Sequence, residues 1–193
     1  MRKTVTIEST AVLLDVNNID TDQIIPARFL KAVSRDSFGE KLFYNWRYRK
    51  DGSPDESFAL NRSKGSVLVA GANFGCGSSR EHAAWALADY GFGAVVASSF
   101  ADIFRNNALN NGLVPVQVSP GFLERAVSAI RKDPDTKIDV DLSDRSIRVE
   151  GVGMETFPIG EYKRECLMKG YDDMDYLLSI LSDIEKFEKR NAI

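Results

Sequence analysis

Val67-Leu68-Val69-Ala70 leads through Gly71-Ala72 into Asn73-Phe74-Gly75-Cys76-Gly77-Ser78-Ser79-Arg80-Glu81-His82 and out into Ala83-Ala84-Trp85-Ala86-Leu87-Ala88. The lead-in is apolar and β-prone and the lead-out is alanine-rich at helical spacing, so the stretch predicts a strand turning sharply into a helix. Two glycines, two serine hydroxyls, a guanidinium and the single histidine of the chain meet at this corner. A helix start leaves backbone N–H groups unpaired and aimed at one point, which makes the corner a ready anion site. An arginine fork there suits a carboxylate, and a small serine suits a nucleophile or a base. The plain alternative is a corner in which Ser78 or Ser79 caps the helix, worth about 1 kcal/mol.

Several motif readings fail at this corner. The G-x-G fragment lacks a third glycine and a downstream acidic residue, so a dinucleotide fingerprint is weak. There is no G-K-[ST] and no G-x-S-x-G, which removes the nucleotide P-loop and leaves little for a hydrolase elbow. Cys76 with His82 suggests a thiol nucleophile. Against that, Cys76 sits deep in the turn, where a small packed residue is wanted, and His82 is placed as a structural histidine.

Working outward, residues 3–16 alternate and then cluster apolar side chains (Val5, Ile7, Val12, Leu13, Leu14, Val16), which predicts one or two strands. Asn17 to Pro26 is a polar turn entering an Ile-Ile step, with helical spacing at Phe29-Leu30-Lys31. Within it, Asp20-Thr21-Asp22 by itself reads as an Asx turn. Residues 34–65 form a long excursion with a short helix near Phe38–Trp46, because Leu42, Phe43, Tyr44 and Trp46 require burial. Strands follow at 66–71, 93–97 and 113–118, separated by helices at 80–90 and 100–111. A helix at 120–131 carries Phe122, Leu123, Ala126, Val127 and Ile130 on one face. Lys137–Leu142 and Ser146–Glu150 predict a hairpin, and an amphipathic helix is expected at about 175–190. Alternating strands and helices make the fold α/β, with antiparallel elements added at both ends.

The whole chain, residues 1–193, is the length of one domain and carries a net charge of −3. That charge, with no Lys/Arg run, excludes nucleic acid and membrane surfaces as expected partners, so an anionic ligand must be drawn by local arginines. The two cysteines, Cys76 and Cys166, are far apart in sequence and fit a reducing cytoplasm rather than a disulfide framework. They are too few for the cysteine set of an iron–sulfur cluster, and one histidine makes a self-contained zinc site improbable. No signal peptide is evident and no apolar run reaches the ~20 residues of a membrane span.

Four segments then fall into one pattern. They are Asn18-Ile19-Asp20-Thr21-Asp22-Gln23-Ile24-Ile25-Pro26 with Phe29-Leu30-Lys31; Asn73 to Ala83; Ser99-Phe100-Ala101-Asp102-Ile103-Phe104 with Asn107 and Asn110 to Pro115; and Lys163 to Asp173. In this order they closely resemble the small subunits of 3-isopropylmalate dehydratase, in the aconitase superfamily, over essentially the whole chain. Met174, where an aliphatic residue is expected, and the surroundings of Arg164-Glu165 depart from the pattern.

The resemblance implies a swivelling β/β/α domain like the mobile fourth domain of aconitase. It implies a large-subunit partner that carries a four-iron, four-sulfur cluster, no cofactor on this chain, and a dicarboxylate substrate interconverted between 2- and 3-isopropylmalate in leucine biosynthesis. By similarity to aconitase Ser78 is the base, working as an alkoxide that the turn must stabilise. Arg80 is expected to grip a substrate carboxylate, with Ser79 capping the helix and helping through its N–H. Arg28-Phe29-Leu30-Lys31 resembles the substrate-recognition loop. Its apolar side chains suit an isopropyl group, while Arg28 and Lys31 leave room for a related 2-hydroxy diacid of the homoaconitate or methylmalate type. A non-catalytic anion-binding domain is the rival of a different class.

Overall fold

β1 (Thr6–Leu14) is the strand on which the architecture turns. In the computed structural model, which describes residues 3–30 and 37–191, its two halves bond to different neighbours. Thr6 to Thr10 pair antiparallel with β5, whereas Ala11 to Leu14 pair parallel with β2. Lys31 and the opening of the 34–65 excursion lie outside the described residues.

The elements run β1, α1 (Thr21–Ile24), α2 (Phe38–Lys41), α3 (Tyr44–Arg47), α4 (Ala59–Arg62), β2 (Val67–Ala70), α5 (Glu81–Tyr90), β3 (Ala94–Ala97), α6 (Asp102–Asn110) and β4 (Val114–Gln117). They continue with α7 (Pro120–Lys132), β5 (Lys137–Asp141), β6 (Ser146–Val149), β7 (Gly153–Thr156), α8 (Glu161–Lys169), α9 (Asp173–Ser179) and α10 (Leu181–Asn191). The sheet order is β4-β3-β2-β1-β5-β6-β7, parallel on the β4 side of β1 and antiparallel on the other.

Strand alternation sorts the core into two clusters. Val67 and Val69 face one, with Ala94, Val96, Val114 and Val116 and the buried face of α7. Leu68 and Ala70 face the other, with Val95, Ala97, the Ala83, Ala86 and Leu87 face of α5, and Phe104 of α6. Both faces of the parallel strands are therefore covered, as their continuous apolar runs require.

The excursion is fastened to this second layer. Leu42 and Phe43 are fully buried, the Phe43 N–H donates to the Ile24 carbonyl at 2.8 Å, and Asp89 of α5 accepts from the Gly39 N–H at 2.7 Å. The single helix expected near Phe38–Trp46 is two separate turns, α2 and α3, because Phe43 between them is left-handed (φ 48°). The expected C-terminal helix is likewise divided into α9 and α10 at Ile180, where the sequence has neither Gly nor Pro to account for it. α8 and β7 had no clear periodic signal in the sequence.

The sheet curls, and side chains link its two edges. Glu155 of β7 accepts from the Ser119 N–H at 2.5 Å and its hydroxyl at 2.7 Å, just beyond β4. Ser119 also caps α7 through Phe122 N–H. Glu155→Ala leaves Ser119 without that acceptor, and the loss of about 1 kcal/mol should lower the thermal midpoint by roughly 2–4 °C in a chain of this size, measurable by calorimetry.

Candidate functional site

The loops leaving β1 and β2 are laced together by main-chain hydrogen bonds at the carboxyl ends of the parallel strands, the edge where such sheets bind ligands. Gly71 N–H donates to Val16, Asn18 N–H to Ala72, Gly75 N–H to Ile19 and Thr21 N–H to Cys76, at 2.8–3.0 Å. Asn17 accepts from the Ala72 N–H and Asn18 from the Asn73 side chain. The loop after β3 joins the same seam, since the Phe74 N–H donates to Ser99 and the Ala101 N–H to Phe74. Gly75 is buried with φ +75°, and a Cβ there would stand 2.2 Å from Phe104 Cγ, so only glycine lets the turn seat on α6.

Past Gly77 (φ +88°) the chain rises into solvent. Ser78 and Ser79 are exposed and Arg80 is half-buried. α5 starts at Glu81 with Arg80 as its N-cap and no side-chain cap. The expectation that Ser79 caps the helix is therefore overturned. The helix begins one residue later than a Ser79 cap needs, which leaves both hydroxyls outside its hydrogen-bonding.

Arg80 does not stand free. Its Nη1 and Nη2 form a fork on the two carboxylate oxygens of Asp22, the Nη2 contact at 2.8 Å, and Nη1 reaches the Ile25 carbonyl at 3.5 Å. The guanidinium holds the Asp22 carboxyl below its ordinary value, helped by the Ala27 N–H. Arg80 is 14% exposed and Asp22 55%, so the pair is screened and contributes at most about 1 kcal/mol of stability. Its consequence is geometric: a long side chain is pinned in one direction beside the serines. Asp22 is the site residue that sequence reasoning left as an Asx turn. The missing signal was the complementarity of an acid and an arginine 58 positions apart.

Asp20 caps α1 in a reciprocal box with Gln23. That single turn carries Thr21 under the Ser78 carbonyl and Asp22 onto Arg80. The chain then passes Pro26 into a 3₁₀ turn at Ala27–Phe29. Arg28 lies over the Phe29 and Tyr44 rings and donates to Asn45 at 2.8 Å, while Phe29 and Leu30 are half-buried against the second cluster. Among the described residues the structure brings Ser78, Ser79 and Arg80 together and sets Arg28, Phe29 and Leu30 alongside, joined to them through Ile25 and Asp22.

His82 packs on Trp85 and Phe38, with ring centroids 4.5 and 5.5 Å away, as a half-buried aromatic neighbour. Cys76 is partly buried in the turn, and Cys166 is buried in α8, where burial raises its thiol pKa. Both cysteines are free. Among the described residues no group of three or more His, Cys, Asp or Glu is arranged to hold a metal ion. The chain's own residues do not fit an iron–sulfur cluster. No described helix is long and apolar enough to cross a membrane. Concavities of about 1140 and 540 Å³ lie elsewhere, against α7 and Glu150–Val152 and under the amino ends of β1 and β3. Among the described residues, neither of these concavities reaches Ser78 or Ser79, which are exposed.

Residues 1–121 match the family model of the aconitase C-terminal domain. A 3-isopropylmalate dehydratase small subunit from Christiangramia forsetii is 58% identical, over 98% of this chain and 94% of its own length. One from Cytophaga hutchinsonii is 54% identical, over 98% and 96%. The crystal structure of a 3-isopropylmalate dehydratase from Methanocaldococcus jannaschii superposes with a TM-score of 0.66 at 31% identity, covering 94% of this chain and 98% of that one.

A depressed carboxylate stabilises above its unfolded value and loses that stabilisation as pH falls through its folded one. The Asp22–Arg80 fork should therefore be intact through the neutral range and open only in acid. An NMR titration of the Asp22 side-chain carbon should give a midpoint below 3.8, and Arg80→Gln should move it back toward 3.8.

Proposed function

The chain belongs to the 3-isopropylmalate dehydratase small subunits of the aconitase superfamily, and from that membership we propose how its exposed turn takes part in the reaction. Its fold is the swivelling β/β/α domain resembling the mobile fourth domain of aconitase. Its function is that of the small subunit of a hydro-lyase that isomerises 2-isopropylmalate to 3-isopropylmalate in leucine biosynthesis by dehydration and rehydration. A related diacid and a non-catalytic anion-binding domain are not favoured, since the relatives carry the one name.

The reaction removes a proton from carbon and a hydroxyl from its neighbour, and the substrate's two carboxylates must be held meanwhile. Ser78 is the base. The observation that carries this reading is its exposure on a rigid, laced turn at the carboxyl edge of the sheet, with Arg80 pinned two residues on. Arg80 binds a substrate carboxylate. Asp22 takes one hydrogen from each Nη, which leaves Nε–H and the second Nη2–H as an open side-on fork.

Phe29 and Leu30 offer the apolar surface for the isopropyl group, with Arg28 and Lys31 as their neighbours in sequence. Ser79 contributes its N–H. Residues 1–193 work as one domain, and the described part of the excursion, from residue 37, belongs to its second layer.

One helix end provides about 0.3–1 kcal/mol toward an anion, whereas each pKa unit needs about 1.4. The isolated chain therefore cannot ionise Ser78, and activation belongs to the assembled enzyme. The large subunit supplies the other wall, and its four-iron, four-sulfur cluster supplies Lewis acidity toward the leaving hydroxyl. Cytoplasmic residence fits the two free cysteines.

In the co-expressed two-subunit enzyme, Ser78→Ala should abolish turnover while complex formation, followed by size-exclusion chromatography, is retained. Wild-type-like hydration would remove Ser78 from the role. Arg80→Lys should lower kcat/KM about tenfold or more, because a point charge cannot reproduce the fork, and near-normal kinetics would count against the carboxylate assignment.

A further inference from the structure

We propose that Thr21 is a positioning residue for the reaction, acting through the peptide that joins Ser78 to Ser79. Its hydroxyl donates to the Ser78 carbonyl at 2.9 Å. Thr21 is 2% exposed, and this is the hydroxyl's hydrogen bond among the described residues. The contact spans 57 positions of sequence and connects α1 directly to the residue assigned as base.

A trans peptide is planar, so its carbonyl and its N–H point in opposite directions. With the Ser78 carbonyl turned inward onto a buried hydroxyl, the Ser79 N–H of the same peptide is turned outward, to the side where both serines are exposed. It has no partner among the described residues. The outward N–H is the donor that a developing negative charge beside Ser78 requires, and it is held in place before the substrate arrives.

The bias on this peptide is substantial. Rotating it would strip a buried hydroxyl of its acceptor, a penalty that favours the seated orientation by roughly 5–150-fold. Thr21 is itself fixed by its own N–H, which donates to the Cys76 carbonyl at 2.9 Å, and by the Asp20 cap on α1. The three consecutive residues Asp20, Thr21 and Asp22 therefore divide the work: the first closes the short helix, the second orients the Ser78–Ser79 peptide, and the third orients Arg80.

The inference rests on the assignment of Ser78, so Ser78→Ala is measured beside the Thr21 variants in the same two-subunit enzyme. Thr21→Val, nearly isosteric but without the hydroxyl, should lower kcat about 5–150-fold with KM for 2-isopropylmalate within about twofold. Thr21→Ser, which keeps the hydroxyl, should recover most of the loss. A kcat within twofold of wild type for Thr21→Val, with Ser78→Ala inactive, overturns the role of Thr21 and leaves that of Ser78 standing. Equal damage from Thr21→Ser and Thr21→Val also overturns it, since the methyl and not the hydroxyl would then matter. Activity in Ser78→Ala overturns the underlying assignment instead. If Thr21→Val does not assemble, Thr21→Ala supplies the same comparison against Thr21→Ser.

Discussion

The main-chain seam between the loops leaving β1 and β2 is the constraint on which the site depends. Once Thr21 N–H is bonded to Cys76 and Gly75 N–H to Ile19, the residues on either side have little freedom left. Ser78 is lifted into solvent from a base that cannot shift, and α1 is brought under it with a hydroxyl and a carboxylate already aimed. The seam exists because β1 and β2 are adjacent and parallel, so that their carboxyl ends emerge side by side.

That adjacency is a product of the core. The parallel strands are buried on both faces, and their side chains divide by alternation between the α7 layer and the layer of α5, α6 and the excursion. With both faces covered, the edge where the strands end is the place left for chemistry. Gly75 shows how closely the two are joined, since the turn rests on Phe104, a core ring of α6. Rigidity at Ser78 thus comes from apolar packing below it, while the polar contacts decide direction.

Much of this was legible in the sequence because local periodicity carries it. The apolar run at 67–70, the alanine-rich lead-out and the one-sided stripe of α7 each announce their element, and the observed bounds differ from expectation by a residue or two. The failures have physical reasons. α8 shows little segregation of its charged residues, β7 is a short exposed edge strand, and α2 to α4 are single turns held by Asp89, Tyr90 and Ile24 from elsewhere in the chain. Ser79 was the reasonable cap by residue type, yet the seam below sets where α5 begins.

The family resemblance named the candidate site residues Ser78, Ser79, Arg80 and Arg28 to Lys31, while the sequence by itself determined the class of fold, the strand–turn–helix corner and a cysteine count too low for a cluster. These are properties of residue type and short-range spacing. Only the tertiary structure decided that Asp22 grips Arg80, that Thr21 holds the Ser78 carbonyl, that His82 belongs to an aromatic cluster, and that α5 starts uncapped. Each of the first two joins residues more than fifty positions apart, and whether such groups meet is set by strand order and register, which no local pattern encodes.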